Sequence, residues 1–140
     1  MPAPHRLPVR VRYPEADPMG RLHHSRFLVY FEMGRTELLR DRGVTYRDME
    51  AAGRFIAIAK VQVRYRGAAR YDDLLTVETW IEDVRGARIL FGNRLVRPGD
   101  PAGETVLADA SITGVLVNAQ GQLEQFTDEE IRFLMASEGV

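Results

Sequence analysis

The sequence predicts an α+β fold in which a five-stranded antiparallel sheet wraps around one long helix. Only one long segment, residues 25–43, repeats its apolar residues at the spacing of an amphipathic helix. From residue 60 onward the apolar period changes to two through four segments, and a further alternating segment precedes the helix. One helix with five strands is typical of a sheet that buries one face against that helix.

The first strand is predicted over residues 7–13. Its apolar face holds alternate residues: Leu7, Val9, Val11 and Tyr13. The long helix is expected to have Ser25 as its N-cap and Gly43 as its stop. Its buried face is expected to hold residues at steps of three, four and seven: Phe27, Leu28, Phe31, Leu38 and Leu39. A glycine within a helix costs about 1 kcal/mol relative to alanine, so Gly34 predicts a close approach of the helix to the sheet.

A short second helix is expected between a cap at Thr45 and a stop at Gly53. Four long strands follow, over residues 60–66, 75–81, 87–96 and 106–116. Their connections are short and turn-like, which predicts that neighbouring strands are antiparallel. Thr127 and Glu130 form a capping box that predicts a small final helix.

Three large apolar residues in or next to these strands, Leu74, Trp80 and Leu90, fall off the main apolar face. We therefore expect a second copy of the chain, in a dimer or higher oligomer, to cover them.

The composition restricts the class of protein. The 140 residues fit one domain, residues 1–140, and a net charge of −1 argues against a dedicated nucleic-acid-binding protein. No apolar run approaches the roughly 20 residues that span a bilayer. The first residues lack the apolar core of a signal peptide. We expect a cytoplasmic protein with no nucleic-acid or membrane partner.

Metal and triad chemistry are both disfavoured. The chain has no cysteine, and its three histidines are His5, His23 and His24. Adjacent histidines rarely converge on one ion, and nothing completes a zinc set, so no metal site is expected. Ser25 or Ser111 could enter a Ser-His-Asp triad, but the G-x-S-x-G turn is missing. The P-loop and G-x-G-x-x-G motifs are missing too, and no cofactor is expected.

Polar side chains concentrate in the turn between the first strand and the long helix, which reads YPEADPMGRLHHSRF. Asp17 lies just ahead of the helix, where Gly20 permits a tight turn. As a structural residue, Asp17 would close an Asx-turn or cap the helix. As a functional residue, it lies beside free helix amides that can hold a developing oxyanion. It could then act as nucleophile or general base on an activated acyl group such as a thioester.

A basic row on one predicted strand, Lys60, Arg64 and Arg66, also has two interpretations. It could be the solvated face of that strand. It could instead contact the phosphates of a substrate that carries a nucleotide.

The segment YPEADPMGRLHHSRFLVYFEMGRTELLR resembles the hot-dog-fold acyl-CoA thioesterases of the 4-hydroxybenzoyl-CoA thioesterase type, in particular the branch associated with the Tol-Pal system. The elements in matching register are Tyr13, Glu15, Asp17, Gly20, His24, Arg35, Glu37, Leu39 and Arg40. A second segment, VQVRYRGAARYDDLLTVET, is similar to the family's central strand, turn and next strand. The resemblance covers residues 8–135.

The resemblance implies a single hot-dog thioesterase domain that forms homodimers or homotetramers, with active sites at the subunit interface. It implies that Asp17 is the catalytic carboxylate and that His24 orients substrate or water. The turn and helix start, with Gly20, His23 and Ser25, would bind the thioester carbonyl. The segment with Arg64, Arg66 and Arg70 would contact coenzyme A phosphates.

The implied reaction is hydrolysis of a small or medium acyl-CoA to the free acid and coenzyme A. A non-catalytic module that binds acyl thioesters on the same fold is the main alternative, since a fold does not fix a function. A dehydratase or hydratase is a third hypothesis, but the motifs of those enzymes are missing from the sequence.

Overall fold

The computed structural model describes residues 3–136. Its elements, in chain order, are β1 (His5–Arg10), a 3₁₀ turn (Tyr13–Glu15), α1 (His24–Asp41), α2 (Tyr46–Ala51), β2 (Phe55–Tyr65), β3 (Leu74–Arg85), β4 (Arg88–Asp100), β5 (Gly103–Val117) and α3 (Asp128–Met135). The five strands form one antiparallel sheet, and α1 packs against it. The predicted α+β class is confirmed.

The strands lie in the order β1-β3-β4-β5-β2. Neighbours in sequence are neighbours in the sheet for β3–β4 and β4–β5, as expected. The expectation is wrong for β2 and β3, because residues 66–73 carry the chain from one edge of the sheet towards the other. This crossing segment is held by backbone hydrogen bonds to the turn that contains Asp17.

Helix α1 buries the face that its sequence period predicts, with one exception. Phe27, Phe31, Leu38 and Leu39 are all at most 3% exposed. Leu28 is 39% exposed, so its assignment to the buried face is wrong. A position directly after Phe27 is rotated by about 100° around the helix, which carries Leu28 to the margin of the buried stripe.

Gly34 lies where α1 comes closest to the sheet, as its sequence position predicts. A Cβ built on Gly34 would lie 2.3 Å from the Thr79 Oγ1 atom and 2.8 Å from a Val77 methyl carbon. Thr79 Oγ1 also accepts a hydrogen bond of 2.8 Å from Asn93 Nδ2, and both side chains are fully buried. Glycine is therefore required for the helix to approach a layer of β-branched side chains.

The apolar residues that fall off the main face behave differently from one another. Trp80 is only 8% exposed, because its ring covers Gly92 and the Arg94 guanidinium lies 5.5 Å from the ring centroid. The expectation that a second subunit must cover Trp80 is therefore wrong. Leu90 is half-buried, and Leu74 remains 47% exposed.

Several boundaries differ from the predictions. Strand β1 ends at Arg10, and Tyr13 lies in the 3₁₀ turn with 77% exposure rather than on a buried strand face. Strand β2 begins at Phe55, five residues earlier than the period of two indicates. The caps at Thr45 and Thr127 are both confirmed. Among residues 3–136, no helix is long and apolar enough to cross a membrane.

Candidate active site

The segment before α1 folds into a small hairpin. Ala16 and Leu22 form an antiparallel bridge, Asp17 N donates to Arg21 O at 2.7 Å, and His23 N donates to Glu15 O at 2.9 Å. Gly20 at the tip has a φ of +77°, a conformation that glycine adopts without strain. We call residues 15–23 the Asp17 hairpin.

The Asp17 carboxylate has one anchored and one unpaired oxygen. Its Oδ1 accepts hydrogen bonds from Met19 N at 2.8 Å and Arg21 N at 3.1 Å. This is the Asx-turn that the structural interpretation predicts. Within residues 3–136, its Oδ2 has no hydrogen-bond or ion-pair partner. The turn therefore fixes the carboxylate while leaving one oxygen for chemistry, so the two interpretations of Asp17 are compatible.

A cavity of about 430 Å³ opens at Asp17. Its walls are formed by the hairpin tip and by two tyrosines, Tyr13 and Tyr71, whose rings meet edge to face at 5.6 Å between centroids. Tyr71 N donates to Gly20 O, which holds the crossing segment against the hairpin. Tyr71 is not among the site residues predicted from the sequence, because its contact with Tyr13 joins residues far apart in the chain. The sequence feature that could have indicated Tyr71 as a site residue is its position directly after Arg70, a predicted substrate-binding residue.

Helix α1 begins directly after the hairpin. His23 is its N-cap, and His23 Nδ1 accepts from Ser25 N at 3.2 Å. The prediction that Ser25 is the N-cap is wrong, because the bond from His23 N to Glu15 O holds His23 in the extended conformation that an N-cap requires. Arg26 N donates to His23 O, whereas His24 N has no partner within the described residues. The amide of His24 is therefore available to a ligand.

The rings of His23 and His24 lie against each other, with 4.3 Å between centroids, and each ring has one further neighbour of its own. The His23 ring is held by Ser25, with 2.8 Å between Nδ1 and Ser25 Oγ. The His24 ring lies edge to face with Tyr65 at the end of β2, at 6.4 Å between centroids. Tyr65 donates its hydroxyl to His24 O at 3.1 Å. Among the described residues, no group of three or more His, Asp and Glu side chains is placed to hold a metal ion.

The sequence of this site and its fold place the chain among known proteins. A family model for the thioesterase-like superfamily matches residues 11–133. The chain belongs to this superfamily.

Two curated relatives and one solved structure resemble this superfamily member. The acyl-CoA thioesterase YbgC of Haemophilus influenzae is 42% identical over 65% of this chain and 68% of its own length. The acyl-CoA thioester hydrolase YbgC of Escherichia coli O6:H1 is 33% identical over 81% of each chain. A mutant of 4-hydroxybenzoyl CoA thioesterase, crystallised with 4-hydroxybenzoyl CoA, has a TM-score of 0.85 over 94% of this chain and 99% of its own, at 17% identity. The last likeness shows the fold, which is the hot-dog fold of these thioesterases.

The structure brings together some of the site residues expected of a thioesterase-like chain and separates others. Asp17 and Gly20 share the cavity, and His23, His24 and Ser25 gather at the start of α1. Arg70 lies on the crossing segment, where its backbone forms an isolated antiparallel β-bridge with Arg21 of the hairpin. Arg64 and Arg66 lie elsewhere, in a groove of about 850 Å³ on the sheet that also holds Trp80, Arg94 and Asp109.

A row of alternating charges crosses the sheet, and its members on β4, β5 and β2 line the groove. The paired residues, from β1 to β2, are Arg6, Glu78, Arg94, Asp109 and Arg64. Glu78 is fully buried, with Arg6 Nε at 3.0 Å and Arg94 Nη2 at 2.9 Å from its oxygens. Arg66 pairs with Asp109. Within the described residues the Arg64 side chain has no carboxylate partner inside 4 Å. The charge of Arg64 is therefore more available to a ligand than that of Arg66.

Proposed function

We propose that the chain hydrolyses acyl-CoA thioesters to a free acid and coenzyme A. The observation that carries the proposal is Asp17, whose Oδ1 is fixed by two backbone amides while its Oδ2 faces no partner in residues 3–136. Membership of the thioesterase-like superfamily and the YbgC relatives support the same reaction. A thioester is sufficiently activated for a carboxylate and amide donors to hydrolyse it.

Asp17 can drive the reaction by either of two routes. As a general base, its Oδ2 takes a proton from water as the water oxygen attacks the thioester carbon. As a nucleophile, Oδ2 attacks that carbon and forms an anhydride, which water then hydrolyses. In both routes the carbon–sulfur bond breaks and the thiolate of coenzyme A leaves and is protonated.

The His24 amide is our proposed donor to the thioester carbonyl. An unpaired N–H at the first turn of a helix points outward along the axis, where the helix dipole favours negative charge. A donor at this position stabilises the oxygen most when it becomes an oxyanion. The His24 ring, the side chain of His23 and Ser25 then shape the approach of the substrate and orient water.

A hydrolysis screen tests the proposed function. Purified protein is assayed for thiol release from acyl-CoAs of graded chain length, from benzoyl-CoA and phenylacetyl-CoA, and from matched acyl-carrier-protein thioesters. We expect turnover of small or medium acyl-CoAs. Binding of these esters without turnover of any of them would instead support the non-catalytic acyl-thioester module.

We expect Arg64 to contact a phosphate of coenzyme A. Replacing Arg64 with Ala should raise KM about fivefold with kcat nearly unchanged, which corresponds to about 1 kcal/mol for an exposed ion pair. Arg85→Ala is the matched control, because the Arg85 side chain is 87% exposed and lies outside the groove that holds Arg64. The increase in KM should vanish with acyl-pantetheine, which lacks the nucleotide. Equal KM values for the Arg64 variant and the wild type on acyl-CoA would remove Arg64 from the binding site.

The active form is proposed to be a dimer formed through β2. This strand is 11 residues long, lies at a sheet edge and has no buried residue. Ile58 and Val61 are 45% and 41% exposed, and they share a cavity of about 220 Å³ with Leu28 of α1. A long edge with exposed apolar side chains is a template for pairing with another strand. A second copy would pair with β2 and cover these residues, and two such dimers would form a tetramer.

Replacing Val61 with Asp should convert the dimer or tetramer to monomer, because it places a carboxylate among the apolar side chains at the proposed interface. Sedimentation velocity at several protein concentrations measures the change. Arg85→Asp is the control, since the Arg85 side chain is 87% exposed at the β3–β4 turn, away from β2. A wild-type chain that sediments as a monomer would contradict the proposed assembly. The one-domain organisation and the cytoplasmic location stay predictions.

A further inference from the structure

Glu15, two residues before Asp17, has a buried carboxylate that the proposed mechanism does not use. Glu15 is 4% exposed. Its Oε1 accepts hydrogen bonds from the Tyr30 hydroxyl at 2.7 Å and from Arg12 N at 2.9 Å. The Arg12 Nε atom lies 3.5 Å from the same oxygen. Tyr30 is 2% exposed and lies on α1, between one and two turns after its first residue.

Glu15 contacts α1 at two levels. Its backbone oxygen accepts from His23 N at 2.9 Å, which fixes the N-cap. Its side chain accepts from Tyr30, which fixes the second turn of the helix. Asp17 follows two residues later on the same strand of the hairpin. One residue therefore joins the strand that carries the carboxylate to the helix start that carries the free amide.

We propose that Glu15 and Tyr30 are positioning residues, whose hydrogen bond fixes the Asp17 carboxylate relative to the His24 amide. The inference rests on the proposed function, in which both groups act on one thioester. Catalysis is sensitive to such placement, since an error of about 1 Å can lower a rate about a hundredfold.

The surroundings of Glu15 and Tyr30 favour an ionised carboxylate on Glu15 and a neutral hydroxyl on Tyr30. Burial raises the pKa of Glu15, but the bonds from Arg12 N and Tyr30, together with the Arg12 charge, outweigh burial and leave that pKa below its ordinary value. Burial and the bond to Glu15 raise the pKa of Tyr30 above its ordinary value. Glu15 therefore accepts as a carboxylate and Tyr30 donates as a neutral phenol at neutral pH.

Stability alone gives little reason for this arrangement. Burying a carboxylate costs free energy, and well-packed apolar residues in place of a buried charged group are often as stable or more stable. A directional hydrogen bond restricts orientation more tightly than an apolar contact does. The geometry therefore favours a role in placement of the hairpin.

The test compares Tyr30→Phe with Glu15→Gln, which keeps an oxygen that can accept from Tyr30 and Arg12. We expect Tyr30→Phe to lower kcat about tenfold while KM stays within about twofold, because substrate binding is retained and placement is lost. Glu15→Gln should retain a larger fraction of the wild-type kcat than Tyr30→Phe does, because its oxygen can still accept from Tyr30. Tyr46→Phe on α2 is the matched control, and its kcat should equal that of the wild type.

Amide hydrogen exchange gives a readout that is independent of turnover. In Tyr30→Phe, the amides of Asp17 and His23 should exchange about tenfold faster, while the Leu38 amide within α1 is unchanged. An active wild type whose Tyr30→Phe variant keeps its kcat overturns the positioning role, whether or not exchange accelerates. A wild type that is inactive on the whole thioester panel overturns the proposed function instead.

Discussion

Replacing Asp17 with Asn should lower kcat for acyl-CoA hydrolysis by a factor of about 10²–10⁴, the usual contribution of a positioned general acid or base. The Asn side chain retains an oxygen that can accept from Met19 N and Arg21 N, so the Asx-turn is preserved. It presents an amide nitrogen where Asp17 presents its unpaired oxygen. An amide neither takes a proton from water nor attacks a thioester, so both routes are blocked.

The measurement is thiol release under saturating acyl-CoA, with thermal unfolding as a check on the fold. Asp83→Asn is the matched control, because the Asp83 side chain is 53% exposed and lies outside the site. We expect this control to retain wild-type kcat, and the thermal midpoints of both variants to stay close to that of the wild type. An Asp17→Asn variant that retains more than about a tenth of kcat would exclude Asp17 as base or nucleophile.

Replacing Gly34 with Ala should lower the free energy of unfolding by about 2–3 kcal/mol. Alanine gains about 1 kcal/mol of helix propensity, but the added Cβ would lie 2.3 Å from Thr79 Oγ1. Thr79 is β-branched, which restricts its χ1 rotamer, and its hydroxyl is hydrogen-bonded to buried Asn93. The Thr79 side chain therefore cannot move away without loss of that bond. The cost of overpacking, typically 1–3 kcal/mol, and the weakened bond together exceed the gain.

Urea unfolding at one fixed protein concentration measures this change, since the apparent stability of the proposed oligomer would depend on concentration. Met33→Ala is the control on the same helix, because Met33 is 41% exposed. Its free energy of unfolding should change by less than about 1 kcal/mol. A Gly34→Ala variant as stable as the wild type would mean that α1 can move away from Thr79 and Val77, and that close approach is not required.

The features that the sequence predicts correctly depend on neighbouring residues. The apolar period identifies α1, the cap at Thr127 identifies α3, and the glycine in the middle of α1 predicts the close contact with β3. These signals are local, because helix periodicity and capping bonds join residues within a few positions of one another.

The incorrect expectations concern places where distant residues decide the local conformation. His23 rather than Ser25 caps α1, because a hydrogen bond to Glu15 fixes its backbone. Tyr13 is an exception with a local cause: it leaves the strand because Pro14 and the bond from Arg12 N to the Glu15 carboxylate favour a 3₁₀ turn. Trp80 is covered by groups of its own sheet, and β2 pairs with β5 rather than β3.

The sequence by itself determined the α+β class, the turn that holds Asp17 and Gly20, and the resemblance to thioesterases that superfamily membership confirms. Only the tertiary structure decided that Tyr71 lies against Tyr13 and that Glu15 bonds to Tyr30. The physical reason is separation along the chain. Periodicity and turn propensity act over a few residues, whereas these contacts form only when distant segments are packed together.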